Sequence, residues 1–412
     1  MEYKIGDFTC SELKEKYGTP LYVYDEALMR SIIRDYKNNL KSDKFKTLVL
    51  YASKAFACMA MYKLVHEEGI GSDVVSGGEL YAALKYQEPQ KIFFHGNNKQ
   101  RNEIITGINA GVYFVCDNLS EIKLIDEIAN ELNKDVNILF RLNVGVEAHT
   151  HKFVVTAHVD SKFGMLIDSS DLKESIRIVN DSKHLKLCGF HSHIGSQIFD
   201  MSGFYAAIDK IVSYLKEFDK PMILNIGGGY GVRYTSEDKP IPYALVSKML
   251  ISHTEEALKN NNVKIEMLVI EPGRSIVAEA GYTLYTIGGI KQTPNRKYYF
   301  IDGGMADNIR PALYQAKYDA IVANKMDLEK TETVTLAGKC CESGDLIIED
   351  IKMAKADIGD IVCVFTTGAY GYSMSSHYNK ALTPAVVFVN KDKARVVIKR
   401  ETYEDLYKND CE

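Results

Sequence analysis

The runs TLVLYASK (47–54), GSDVVS (71–76), KIFFHGN (91–97), VYFVCDN (112–118), NILFRLN (137–143), LCGFHSHIGS (187–196), ILNIGGG (223–229) and LVIEPGR (268–274) share one pattern. Each is an apolar core that breaks off in polar residues or glycine, and a helical stretch separates it from the next. That alternation is the mark of βα units. One connecting helix is legible in detail: after Ser120, read as its N-cap, Ile122, Ile125, Ile128 and Leu132 recur on one helical face. Eight such units in about 250 residues is the size of a (β/α)8 TIM barrel, in which function collects at the carboxyl ends of the strands.

Outward from the barrel, residues 1–30 and 285–412 carry strand-like runs between turn residues: PLYVYD (20–25), KYYFIDGG (297–304), DIVCVFTTGAY (360–370) and AVVFVN (385–390). The expected organisation is α/β: a barrel over 31–284, and a second, mainly β domain formed jointly by 1–30 and 285–412. The first and last segments then meet in space, with the barrel inserted between them in the chain.

Composition agrees with two domains. The chain has 412 residues, 46% apolar and 25% charged, ample material for large cores and unlike a disordered chain. A net charge of −5 without segregation argues against nucleic acid or a membrane surface as partner, and favours a small molecule. The opening MEYKIGDFTCSELKEK lacks the apolar core of a secretory signal, and no stretch reaches the roughly 18 apolar residues of a membrane span, so a cytoplasmic protein is expected. The eight cysteines form no CxxC pair and no disulfide framework; most are expected to be reduced and buried.

The strand ends hold the chemistry. A lone lysine is usually a solvated surface residue, but Lys54 ends the first strand, where its side chain points into the barrel mouth. The seventh strand runs into Gly227, Gly228 and Gly229, and the eighth into Glu271, Pro272, Gly273 and Arg274. Glycines let backbone N–H groups approach an anion, and Arg274 adds a charge-assisted contact, so these loops read as a phosphate cradle rather than as tight turns alone. A dinucleotide fingerprint read from Gly227 would need glycine or alanine where Val232 stands. The sixth strand offers His191, His193 and Ser196; with no acid or cysteine nearby in the sequence to complete a set, ring stacking or hydrogen bonding is preferred to metal, and no metal is expected. A lysine, a phosphate cradle, a stacking histidine and an acid, Glu271, are together what pyridoxal phosphate needs.

The stretches YASKA, SDVVSGGEL, HGNNK, AHTHKF with SKFG, HSHIGSQI, GGGYG, EPGRSIV, ADNIRPALYQA, CESGD and GAYGYSM stand in one order along nearly the whole chain. In this the sequence closely resembles the fold-type III pyridoxal-phosphate decarboxylases and, among them, the diaminopimelate decarboxylase family. The resemblance implies decarboxylation of meso-2,6-diaminopimelate to L-lysine and carbon dioxide, the last step of bacterial lysine synthesis. It implies that Lys54 carries the cofactor, that His193 stacks on its ring, and that Ser196, Gly228, Gly229, Gly273 and Arg274 surround its phosphate. Glu271 would face the ring nitrogen and keep it protonated, which strengthens the electron sink. Arg274, Arg310 and Tyr314 would bind substrate carboxylate, Glu342 the distal amino group, and Tyr370 would lie near both substrate and cofactor. A second carboxylate and a distal amine distinguish diaminopimelate from ornithine or lysine, which Arg310 with Glu342 suits.

The resemblance further implies that Cys341 serves the neighbouring subunit's site, so that a homodimer is the active form, and that Cys341 or Lys54 returns the proton after carbon dioxide departs. Two local departures from the family stand out: Lys339 where proline is frequent, and Ala157-His158 after Thr156 where glycine is usual. Two other readings remain: a same-fold decarboxylase for another amine, such as carboxynorspermidine, and a non-catalytic regulator, against which the presence of both Lys54 and Cys341 argues.

Overall fold

The computed structural model of the chain describes residues 1–146 and 161–411. They divide into two compact units, one of Ile32–Gly231 with Pro240–Ser275, the other of Met1–Ser31, Val232–Lys239 and Ile276–Glu412.

The first unit is a closed parallel barrel. Its strands are β1 (Lys46–Ala52), β2 (Gly71–Val74), β3 (Ile92–Phe94), β4 (Tyr113–Cys116), β5 (Val136–Asn143), β6 (Leu185–His191), β7 (Met222–Asn225) and β8 (Ile265–Ile270). Each pairs in parallel with the next, and β8 returns to β1 through Met267↔Lys46 to Ile270↔Val49, which closes the sheet. Leu50, Phe93, Val115, Leu139, Ile223 and Val269, one residue from each of six strands, pack together in its core, as expected of strands that must be apolar on both faces.

All eight expected strands are present; β5 runs through its polar end to Asn143 and β6 includes His191, while the other six stop short of their polar or glycine tails. The ladder hands over there to single hydrogen bonds between neighbouring strand ends: His95 N–H donates to Val74 C=O (2.7 Å), Ser192 N–H to Asn225 C=O (2.9 Å) and Glu271 N–H to Gly227 C=O (2.8 Å). These bonds hold the loop residues in fixed register just beyond the barrel rim. The helix after β4 runs Leu119–Leu132 and buries Ile122, Ile125 and Ile128, but its N-cap is Asn118, not Ser120. The Asn118 Oδ1 accepts the Glu121 N–H at 3.0 Å, three residues on, where a cap can reach.

In the second unit the strand Leu21–Asp25 lies between Gly281–Gln292, with which it is antiparallel, and Ala385–Asn390, with which it is parallel. The sheet extends through Lys297–Ile301, Glu332–Ala337 and Leu346–Met353 on one side and Lys393–Ile398 on the other. The two ends of the chain therefore build one sheet over a shared core of Leu21, Val23, Leu284, Val387 and Val389. Residues 232–239, expected within the barrel domain, group with this unit instead, as do 276–284. Thr366 Oγ1 donates to Arg233 C=O at 3.0 Å, and Tyr234 packs edge-on against Tyr318.

Among the described residues no two cysteines form a disulfide, and only Cys10, Cys116 and Cys363 are buried, fewer than expected. No described helix is long and apolar enough to cross a membrane.

Candidate active site

On the barrel unit the expected site residues gather at the strand ends. Lys54 stands in a one-turn helix, Ser53–Ala55, directly after β1 and is exposed. Its charge is felt by its neighbours: burial, and then the charges of Lys54 and Arg141, hold His193 well below the usual imidazole range, so its ring is neutral.

The loops after β7 and β8 approach one another as closely as backbones can. At Gly228 a Cβ would sit 2.0 Å from the Glu271 carbonyl oxygen, so no other residue fits, and Gly227 has a φ of +68°. Gly228 N–H donates to His193 Nδ1 at 3.3 Å. Arg274, 8% exposed, donates from Nε and one Nη to Ser196 Oγ at 3.3 and 2.9 Å. Gly273 lies against Ala52, the last residue of β1, two residues before Lys54. His193 is thus paired with Gly228, and Ser196 with Arg274, by direct contacts at the strand ends, and together they present donors suited to an anion.

Glu271 is the electrostatic centre. It is 5% exposed, and three donors from three other strand ends converge on it: His95 Nε2 (2.9 Å), Asn225 Nδ2 (2.7 Å) and His191 Nε2 (3.2 Å). Burial opposes its charge, but the imidazoles of His95 and His191 and their hydrogen bonds outweigh this and hold it well below the usual carboxylate range. His191 is pushed down to about 4 by burial and is neutral. Asp73, at the end of β2 and 3.7 Å from His95 Nε2, is shifted the opposite way by burial. The surroundings thus drive two buried acids apart, Glu271 towards its charged form and Asp73 away from it.

Sequence reasoning found no acid near His191; the barrel supplies one from 80 residues away. The donor atoms of His95, His191 and Glu271 lie within 4.8 Å of one another. Hydrogen bonds to Glu271 already employ those ring nitrogens. His95, Asn225, Asp73 and Arg141 were not singled out from sequence, although His95 directly follows β3 and Asn225 ends β7, the positions that drew attention to Lys54 and Glu271.

On the β-rich unit Arg310 opens the helix Arg310–Tyr314 and is 7% exposed. Its guanidinium donates to Tyr234 Oη (3.1 Å) and Tyr318 Oη (2.5 Å) and lies 5.1, 5.7 and 5.9 Å from the ring centres of Tyr234, Tyr318 and Tyr370. A cation so enclosed is fixed in direction as well as charge. Tyr370 holds a left-handed φ of +63°. Tyr314 is half-buried at the end of its helix, while Cys341 and Glu342 are exposed in a turn, with Cys341 N–H donating to Asn379 Oδ1 at 2.9 Å. Lys339 N–H donates to Gly303 C=O at 3.0 Å, a bond that proline could not make. AHTHKF and the Thr156 to His158 departure lie outside the described residues.

The barrel rim fits pyridoxal phosphate. Besides an amine, an anion cradle and an ionised acid, it holds buried polar atoms, Asp73 Oδ1, His191 Nδ1 and Ser192 Oγ, without a hydrogen-bond partner among the described residues, as in a site built to receive a polar group.

Comparison with known proteins points the same way. Residues 27–278 match the family model of the pyridoxal-dependent decarboxylase, pyridoxal binding domain. The diaminopimelate decarboxylase of Bacillus methanolicus is 49% identical over 97% of this chain and 94% of that protein; that of Bacillus subtilis (strain 168) is 46% identical over 99% and 94%. The crystal structure of diaminopimelate decarboxylase from M. jannaschii, in co-complex with L-lysine, superposes with a TM-score of 0.92 at 37% identity, covering 98% of this chain and 95% of that one. With similarity of this extent on both measures, the chain belongs to the diaminopimelate decarboxylase family of pyridoxal-dependent decarboxylases.

Proposed function

We propose that this chain removes carbon dioxide from meso-2,6-diaminopimelate to leave L-lysine, closing lysine biosynthesis, with Lys54 carrying pyridoxal phosphate. The observation that carries the substrate assignment is Arg310, a cation enclosed by Tyr234, Tyr318 and Tyr370. Such a group suits a second carboxylate, which diaminopimelate has and the simple diamino acids lack. The names of the relatives, and L-lysine in the M. jannaschii complex, support the same choice.

When bound, pyridoxal phosphate supplies the electron sink for the pair left as the bond to carbon dioxide breaks. Ser196, Gly228, Gly229, Gly273 and Arg274 would hold its phosphate, and His193 would stack on its ring. Glu271, kept ionised by its three donors, holds a proton at the ring nitrogen. Arg274, Arg310 and Tyr314 orient substrate carboxylate, Glu342 takes the distal ammonium, and Tyr370 lies beside substrate and cofactor. A proton returns to the substrate carbon from Cys341 Sγ or Lys54 Nζ. Cys341 and Glu342 of each subunit serve the partner's site, so the active form is a cytoplasmic homodimer.

The test is carbon dioxide release by cofactor-loaded protein from meso-diaminopimelate, with ornithine, lysine, arginine and carboxynorspermidine in parallel and Lys54→Ala as control. Release from diaminopimelate alone, abolished in the control, is expected. Release from another amine would overturn the roles of Arg310 and Glu342, and none from any substrate would leave a non-catalytic regulator.

A further inference from the structure

The strand Glu332–Ala337 leads into a turn at 338–345, whose residues Cys341–Gly344 are exposed. Asp345 closes this turn and is 2% exposed. A carboxylate buried at the foot of an exposed turn has a cost that partners must offset, and its partners here are backbone N–H groups of two separate segments. Oδ1 accepts from Met305 N–H at 2.6 Å, and Oδ2 accepts from Cys340 N–H at 2.7 Å. The backbone of Asp345 tightens the same turn: its N–H donates to Glu342 C=O at 3.1 Å, and its C=O accepts from Gly338 N–H at 2.9 Å.

The recess is shaped to this side chain. A Cβ on Gly338 would lie 2.2 Å from a carboxylate oxygen of Asp345, and one on Gly304 would lie 2.5 Å from the same group. The segment it grips, 303–307, leads within three residues to Arg310, and Asn308 Oδ1 accepts the Arg310 N–H at 3.4 Å. Asp345 therefore fastens the turn bearing Cys341 and Glu342 to the segment bearing Arg310.

We propose that Asp345 is a positioning residue for decarboxylation: by accepting the N–H groups of both Met305 and Cys340 it fixes the turn from which Cys341 and Glu342 reach the partner subunit's site. The inference rests on the reading that Cys341 and Glu342 complete the partner subunit's site. A carboxylate accepts from both N–H groups at once, an asparagine amide presents a donor to one of them, and alanine meets neither. Glutamate, one methylene longer, does not fit beside Gly304 and Gly338.

The experiment compares Asp345→Asn, Asp345→Glu and Asp345→Ala with the parent in the full, cofactor-loaded protein. It measures kcat and KM for meso-diaminopimelate, bound cofactor, and peptide-level hydrogen exchange, with Cys341→Ala and Glu342→Gln in parallel. Displacing catalytic groups by about 1 Å costs up to roughly 100-fold, so kcat/KM is expected to fall ~10-fold in Asp345→Asn and ~100-fold in Asp345→Ala, without rescue by Asp345→Glu. Exchange should rise in peptides covering 303–307 and 338–346 alone, with cofactor content unchanged, so that Asp345→Asn remains informative if Asp345→Ala fails to fold. Activity of Asp345→Asn within twofold of the parent, while Cys341→Ala and Glu342→Gln are impaired, overturns the role of Asp345 alone. Full activity in Cys341→Ala and Glu342→Gln overturns the reading beneath it, and a general rise in exchange with loss of cofactor reduces Asp345 to a folding residue.

Discussion

Replacing Glu271 by glutamine separates charge from shape at the centre of the barrel rim. The carboxylate accepts from His95, Asn225 and His191 at 2.9, 2.7 and 3.2 Å, and a glutamine keeps the outline but turns one acceptor into a donor. The site can absorb that change at one place. His191 is neutral, and its Nδ1 has no hydrogen-bond partner among the described residues. Its proton can move to Nδ1 without breaking a bond, leaving Nε2 to accept from the new amide. His95 and Asn225 keep the remaining oxygen. The hydrogen-bond count is preserved, so the stability cost should stay near 1 kcal/mol, and for a chain of this size the melting temperature should move by less than about 4 °C. Catalysis should respond very differently, since the anion proposed to hold a proton at the cofactor nitrogen is gone. Loss of one preorganised electrostatic partner costs about 2.7–4 kcal/mol, a fall of roughly 100- to 1,000-fold in kcat. The assay is carbon dioxide release from meso-diaminopimelate beside thermal unfolding of Glu271→Gln and the parent. Turnover within threefold of the parent would refute the role of the charge, and a melting temperature lower by more than about 10 °C would refute the tautomer argument.

Arg310→Lys keeps the charge but not the planar fork held by Tyr234 and Tyr318; KM for diaminopimelate should rise roughly 10- to 100-fold with a smaller change in kcat, measured by steady-state kinetics. Asp307, 3% exposed, has its carboxyl pushed up to about 7 by burial, against the pull of Gly304 N–H and Lys339. Its folded value exceeds the unfolded one, so the group's favourable contribution is complete below about pH 4 and lost as pH rises through 7. Asp307→Asn, which can still accept from Gly304 N–H, should therefore exceed the parent in stability by ~2–4 kcal/mol at pH 8 and by less at pH 5, read from denaturant unfolding at both pH values. Lys339→Pro removes the donor to Gly303 C=O and should cost about 1 kcal/mol; an unchanged unfolding midpoint would show that the bond does not contribute.

Local pattern was enough for the barrel. Eight apolar runs, each followed by glycine or polar residues, specify strands and their ends because burial on both faces and the exit from a sheet leave marks within a few residues of chain. The same logic placed Lys54, Glu271, the glycines after β7 and Arg274 at the rim, and the strand-like runs at both chain ends indicated a shared sheet. The boundary was less legible: residues 232–239 carry no run of their own, and their contacts, Thr366 with Arg233 and Arg310 with Tyr234, lie 76 or more residues distant.

Tertiary structure alone decided what each site residue touches. Closure of the barrel brings the ends of β3, β6, β7 and β8 together, so the partners of Glu271 come from positions 95, 191 and 225, and nothing around His95 or Asn225 in the sequence announces this. The enclosure of Arg310 by Tyr234, Tyr318 and Tyr370, and the grip of Asp345 on Met305 and Cys340, arise in the same way. The reason is physical. Secondary structure follows from periodicity along the chain, but a hydrogen bond or an ion pair is set by distance in space, and only the folded backbone fixes that distance.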